Sequence, residues 1–349
     1  MVFIMKACFL TGIRKLEIRD IPKPEIKSPD EVLLRIKSVG VCGSDVHYYQ
    51  TGRIGDQIVK FPFPLGHECA GIVEGIGASV ANLKVGDKVA VDPAMSCGKC
   101  DQCLAGRENT CRNLRFLGCP EQAPGCLSEF IVMPSKSCIK IPEKMSYEDA
   151  VISEPLAIGL YAVKKSVPMK SAKIAVLGVG PIGISVLTSA RLHGAAKAYV
   201  TDKIDDRLKM AERFSADWTG NPDKEDIVAS ISSREPLLLD AVFECCGSQE
   251  AVLQGLKLLK PGGKLMIVGI PPQLDFWSIP VHDTRRNEIC IQNVRRQMDC
   301  TRAALEMISE KKINFTNMIT HRFPIEKSQD AFELVAGYRD GVVKAMINL

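Results

Sequence analysis

The sequence predicts an α/β chain of two domains: a mostly β part first, then a parallel sheet wound with helices on both faces. Three observations carry this. Before Pro155 the chain runs in short apolar segments broken by Gly and Pro, which suits strands and disfavours long helices. After Pro155, apolar strands alternate with helical stretches, the pattern of a parallel sheet. Early in that second part, an apolar run leads straight into Gly178-Val179-Gly180-Pro181-Ile182-Gly183, a turn that opens a helix.

The elements follow in order. The apolar start, Met1 to Cys8, reads as a first strand. Segments 31–37, 71–76 and 85–91 are further strands, the last entered through a Gly86-Asp87 turn. Segment 156–163 is a buried helix, and Glu154 before Pro155 suits the first turn of that helix. Then come strand 173–177, helix 182–193, strand 198–202, helix 206–214 and strands 241–244 and 265–268. The tail closes on a strand-like run at 342–347.

Composition narrows the function. A length of 349 residues favours two domains. Hydrophobic residues at 46% and charged residues at 25% are ordinary for a folded chain. A net charge of +4 with no basic stripe argues against nucleic acid. No run approaches the length of a membrane span, and no basic segment precedes the apolar start. Fourteen cysteines, bunched at metal-like spacing, point to a reducing cytoplasm and not to disulfides. Cys8, Cys69, Cys138, Cys245, Cys246, Cys290 and Cys300 are expected to be buried small hydrophobes, while Cys119 and Cys126 flank a Pro/Gly loop.

The glycine run is a dinucleotide site. Gly178 permits the tight turn, Gly180 leaves the pyrophosphate unobstructed, and Gly183 lets helix and strand approach. Pro181 and Ile182 open a helix whose N–H groups face phosphate. Asp202, nineteen residues after Gly183, can accept from both ribose hydroxyls of NAD and would repel the 2′-phosphate of NADP. Arg207 could hold that phosphate, but with Asp202 present it reads as stacking beside the adenine.

Two metal sites of different kinds are expected. Cys97, Cys100, Cys103 and Cys111 form a C-x2-C-x2-C-x7-C run. Four thiolates close a tetrahedral zinc, so this one is structural, with Lys99 and Arg107 offsetting its charge. Cys42, His67 and Glu68 offer sulfur, nitrogen and oxygen, and Glu154 is a fourth group, on the metal or holding its water. Three ligands and an open position make a catalytic zinc.

The stretches Val41 to Tyr49, Gly52-Arg53-Ile54-Gly55, Leu65-Gly66-His67-Glu68, Ser153-Glu154-Pro155-Leu156, Gly180 to Gly183 and Thr320 to Pro324 carry a family resemblance. The chain resembles the medium-chain zinc-dependent alcohol dehydrogenases, most of all their sorbitol/xylitol (polyol) branch. The resemblance implies a GroES-like, mostly β catalytic domain at 1–155 plus 291–349, with a Rossmann domain at 156–290 inserted in it. It implies Cys42, His67, Glu68 and Glu154 at a catalytic zinc. Ser44 and His47 pass the alcohol proton outward, and Tyr48 faces the substrate. Cofactor positions are Ile182, Asp202, Arg207, Val268, Gly269, Ile270, Val294, Arg295 and Arg296. Arg296 also binds substrate, and Gln297 beside it stands where the branch carries an aromatic. The implied reaction is reversible, NAD-linked oxidation of a polyol to a ketose in a cytoplasmic homotetramer. Rivals of the same family are 2,3-butanediol and threonine 3-dehydrogenase. Further off stand a zinc-free quinone or enoyl reductase and a non-catalytic NAD-binding sensor.

Overall fold

The structure is a computed structural model and describes residues 3–271, 276–311 and 314–349. The chain forms two compact units, Met1–Glu154 with Thr301–Leu349, and Pro155–Cys300.

In the first unit a seven-stranded sheet runs in the order Cys138–Lys140, Lys88–Val91, Glu68–Ile76, Glu31–Gly40, Lys344–Asn348 and Ile319–Pro324. Phe130–Pro134 also pairs with Glu31–Gly40. A strand's side chains alternate between faces, and Val32, Leu34 and Ile36 are buried while Arg35 is exposed. Those inward residues pack with Val73, Val89, Ile131, Phe332, Ala345 and Ile347 in one core. Ile4–Gly12 and Lys15–Pro22 form a hairpin beside it, joined by Phe63–Pro64.

The second unit holds six parallel strands, in the order Trp218–Gly220, Lys197–Thr201, Lys173–Leu177, Leu239–Glu244, Leu259–Ile267, Cys290–Asn293. Numbered along the chain this is 3-2-1-4-5-6, the doubly wound dinucleotide-binding order. Ile174 to Leu177 are all buried. Parallel strands are covered on both faces, so they read as unbroken apolar runs.

Several boundaries differ from the sequence reading. Segment 291–300 stays with the second unit, because Cys290–Asn293 pairs with Leu259–Ile267 as the last strand of its sheet. The strand expected at 85–91 is only Lys88–Val91, since Gly86, at a φ of 92°, and Asp87 are spent on the turn. Helix Tyr147–Lys165 starts well before 156, with Pro155 inside it. Ser146 caps it by accepting from the Asp149 N–H at 3.0 Å, and Glu148 and Asp149 favour its first turn. Glu154 is therefore an interior helix residue and not an N-terminal acid. Cys246 and Cys290 are exposed and Cys245 is half-buried, against the expectation of burial; Cys8, Cys69, Cys138 and Cys300 are buried.

Candidate active site

The strand Glu31–Gly40 is followed by Val41 and by Cys42, which is extended and immediately precedes helix Gly43–Thr51. Cys42 is half-buried; His67 and Glu68, at the start of the neighbouring strand Glu68–Ile76, are buried. One ligand atom from each of Cys42, His67 and Glu68 lies within 4.8 Å of the other two. Residues 25 apart in sequence are thus brought to one point by two adjacent strands.

The surroundings suit a cation. Asp45 Oδ2 lies 3.3 Å from His67 Nδ1, and Asp45 Oδ1 accepts from the Gly66 N–H at 3.2 Å. A proton on Nδ1 is thereby favoured, leaving Nε2 with its lone pair, the arrangement that orients a metal-binding histidine. Burial pushes His67 down, but Asp45 and Cys42 outweigh it and hold the imidazole well above its ordinary pKa. Groups that favour a proton there favour a divalent cation by the same Coulomb attraction. Glu154 is buried among these groups, and its carboxyl is pushed up to about 7. Burial is the main cause, Glu68 and Asp92 add to it, and His67 and Lys344 oppose it.

Lys344 was not foreseen. Its side chain and that of Glu68 are each only 1% exposed, and its ammonium donates to Glu68 Oε1 at 2.8 Å, Glu68 Oε2 at 2.6 Å and the Val41 carbonyl at 3.2 Å. One signal did exist: a lysine inside the apolar run Val342-Val343-Lys344-Ala345-Met346-Ile347. A charge in a central strand needs a buried partner, but nothing in the sequence names Glu68, 276 residues away.

Of the other expected residues in this unit, Ser44 donates its hydroxyl to Cys42 Sγ at 3.3 Å. His47 is partly buried, and burial lowers its pKa. Tyr48, on the same helix, is buried and donates to Gln57 Oε1 at 2.9 Å, with Cys119 Sγ 3.8 Å from its hydroxyl. Phe116 lies against His67, ring centroids 5.4 Å apart. Gln57 and Phe116 are thus additions that the sequence did not single out.

The four-cysteine lobe is compact. Cys97, Cys100, Cys103 and Cys111 place their sulfurs within 4.8 Å of one another. Cys100 Sγ is 3.5 Å from Cys103 Sγ and 3.8 Å from Cys111 Sγ. A tetrahedron with zinc–sulfur bonds of about 2.3 Å has an edge of about 3.8 Å, so the spacing fits zinc. Main-chain N–H groups, first that of Lys99, pull Cys97 down to about 6, while burial and the adjoining sulfurs push Cys103 up to about 12.

In the second unit the glycine run forms the expected turn between strand Lys173–Leu177 and helix Pro181–Leu192. Gly178 has a φ of 90°, and a Cβ at Gly183 would stand 2.1 Å from the Gly178 carbonyl oxygen. Both positions therefore need glycine. Beside Gly180 lies the guanidinium of Arg207, 3.4 Å from where a Cβ would be. Asp202 follows the second strand and accepts from the Val179 N–H at 2.8 Å and the Ile204 N–H at 2.9 Å. Each carboxylate oxygen keeps a further lone pair for a ribose hydroxyl. Val268, Gly269 and Ile270 follow the strand Leu259–Ile267, and the Val268 and Gly269 N–H groups donate to the Glu244 carbonyl. Val294 donates its N–H to the Ile267 carbonyl at 2.9 Å; Arg295 and Arg296 come next, and the Gln297 side-chain Oε1 accepts from the Cys300 N–H at 2.9 Å.

Comparison with known proteins fits both units. Residues 28–143 match the family model of the alcohol dehydrogenase GroES-like domain, and residues 181–310 that of zinc-binding dehydrogenase. Sorbitol dehydrogenase of Bacillus subtilis (strain 168) is 34% identical over 98% of this chain and 97% of its own. L-idonate 5-dehydrogenase of Vitis vinifera is 35% identical over 98% and 94%. A solved zinc-binding dehydrogenase from Sinorhizobium meliloti 1021, bound to NADP, superposes with a TM-score of 0.91 at 30% identity, covering 99% of this chain and 100% of its own.

Proposed function

The chain belongs to the zinc-dependent medium-chain alcohol dehydrogenases, and we propose that it reversibly oxidises a secondary alcohol of a polyol of the sorbitol, xylitol or iditol kind to the ketose, with NAD as oxidant. The Cys42–His67–Glu68 group carries the reading, in a chain matched almost end to end by a sorbitol and an L-idonate 5-dehydrogenase.

Cys42, His67 and Glu68 would hold one zinc, with Glu154 as a further ligand or the holder of its water. A bound zinc is a Lewis acid that makes an alcohol hydroxyl a stronger acid. Cys97, Cys100, Cys103 and Cys111 would hold a second zinc with no open position. Ser44, hydrogen-bonded to Cys42, would take the substrate proton and His47 would pass it outward. His47 sits below the ordinary histidine pKa, so at neutral pH its ring has a lone pair for that proton. Tyr48 would face the substrate, with its hydroxyl oriented by Gln57. Arg296 would donate to hydroxyls remote from the reacting carbon, and Gln297 would shape the same pocket. Gly178, Gly180, Pro181, Ile182 and Gly183 would cradle the pyrophosphate. Asp202 would take the ribose, with Arg207 beside the adenine. Val268, Gly269, Ile270, Val294 and Arg295 would line the rest of the cofactor.

The enzyme is proposed to work in the cytoplasm as a homo-oligomer, with a tetramer expected. Closely spaced thiols hold metal only where they stay reduced. The terminal strand Cys290–Asn293, with exposed Phe276, Val281 and Ile270 in the same unit, offers a sheet edge for a second copy.

The test is a panel of polyols, 2,3-butanediol and threonine at equal concentration, each with NAD and with NADP. The expected result is the highest kcat/KM for a polyol with NAD. A higher value for 2,3-butanediol or threonine would replace the polyol reading with that rival.

A further inference from the structure

Glu68 is a buried carboxylate with a buried lysine behind it. The strand Glu31–Gly40 lies between their two strands, so that Gly40 pairs with Glu68 on one side and with Met346 on the other. A Cβ at Gly40 would stand 2.2 Å from Glu68 Oε2. The missing side chain makes room for the carboxylate, and Lys344 reaches it from the far strand. An ammonium has three donors and no lone pair. Here the three are directed at Glu68 Oε1, Glu68 Oε2 and the Val41 carbonyl. Lys344 therefore cannot be a ligand, yet it holds the whole carboxylate of a ligand candidate, and the Val41 carbonyl just before Cys42.

We propose that Lys344 is a resident counter-cation of the metal site. Its ammonium neutralises Glu68 when the metal is away, keeps the ligand cage assembled, and loosens the metal's hold when it is present. This rests on reading Cys42, His67 and Glu68 as a metal site. A buried anion without a partner is costly, so a cage built only of anions would open when emptied. Lys344 supplies the missing positive charge from inside the fold. The same charge then repels a divalent ion that shares Glu68 with it. Whatever stabilises the empty cage more than the filled one must weaken metal binding by the same amount. Lys344 is thus a positioning residue that sets how readily the site exchanges its metal.

The test follows zinc release from the holoenzyme into excess chelator, together with melting temperatures of the loaded and stripped protein. The release phase missing from C42S is that of the Cys42 site. If C42S keeps every phase, it is the metal-site reading that fails, before Lys344 is tested. K344M should slow that phase about tenfold or more, the scale on which residues behind metal ligands act. It should also lower the melting temperature of the stripped form more than that of the loaded form. K344R, which keeps the charge, should release zinc at the parent's rate. K344Q is measured alongside with the same direction expected, so the test does not depend on K344M folding. Unchanged or faster release, or an equal fall in melting temperature with and without zinc, would make Lys344 a plain structural ion pair and overturn the proposal.

Discussion

In the proposed function, single side chains set the preference for cofactor and substrate. Asp202 holds its place by accepting from Val179 and Ile204, so its carboxylate lies against the Gly178–Gly183 turn. A 2′-phosphate there meets a fixed negative charge. Asp202→Ser should narrow the NAD preference, since Arg207 beside Gly180 can attract the phosphate; kcat/KM with each cofactor checks it. An unmodified enzyme using both equally would sink the assignment. Arg296 poses the matching question for substrate. Losing a hydrogen bond from a charged donor costs about 1.5–3 kcal/mol, or roughly ten- to more than a hundredfold in kcat/KM. Arg296→Ala should therefore hurt sorbitol or xylitol far more than 2,3-butanediol, which has no distal hydroxyls. An equal loss on both would assign Arg296 to the cofactor or the fold. Asp202 and Arg296 were visible as residue types in a motif. Asp45, Gln57 and Lys344 were not, because their partners are set by folding: Asp45 meets His67, and Lys344 meets Glu68.

At the scale of elements, each metal site has its own scaffold. The four-cysteine lobe is loop with a short α-helix, Asp101–Leu104, and a 3-10 turn, Glu108–Thr110, so its thiols have little secondary structure to hold them without an ion. Cys100→Ser should cost one zinc per chain and lower the melting temperature, whereas Cys42→Ser should cost one zinc and all turnover while the fold survives. Metal analysis with thermal unfolding separates the two. In the parallel sheet, Glu235 follows helix Ile227–Arg234 and ties two strands. It accepts from Tyr199 at 2.7 Å and pairs with Lys173. Burial pushes its carboxyl up, but the Lys173 and Tyr199 hydrogen bonds prevail and hold it below the ordinary value of 4.5. A depressed carboxylate stabilises the fold above its unfolded pKa, and that stability is lost as pH falls through the folded value. Glu235→Gln should then cost about 1–2 kcal/mol at neutral pH, discounted because Lys173 is 41% exposed. The gap should close as pH falls below about 4.5, as denaturant unfolding at several pH values would show. A gap constant with pH would mean the ion pair contributes nothing. The alternating strands and helices of this unit were legible because parallel strands are uniformly apolar. The start of helix Tyr147–Lys165 was not, because Pro155 suits a first turn equally well, whereas the Ser146–Asp149 cap lies well upstream of it.

For the whole molecule, the chain's last strand completes a sheet that its first hundred residues begin. Lys344–Asn348 pairs with Glu31–Gly40 and with Ile319–Pro324, and brings Lys344 to Glu68. Truncation after Val343 should therefore remove a central strand and the buried partner of Glu68 at once. Losing the strand removes the support of its neighbour Glu31–Gly40, which leads into Cys42, so the shortened chain is expected to lose cooperative unfolding and, with it, the zinc of the Cys42 site, unlike K344M, which keeps the strand; zinc content and a melting curve measure both. A truncated chain with full zinc and an unchanged melt would show the strand to be dispensable. The two-part α/β architecture, the glycine turn, the four-thiol lobe and the Cys42–His67–Glu68 set were legible in the residues alone. These depend on local chemistry: side-chain period, glycine where a Cβ cannot fit, and ligand spacing along a short stretch. The fold alone placed Glu154 inside a helix, kept 291–300 with the parallel sheet, and set Lys344 against Glu68. Those outcomes depend on which strands pair across long separations. Pairing is settled by the summed burial of whole faces, which no short window of sequence contains.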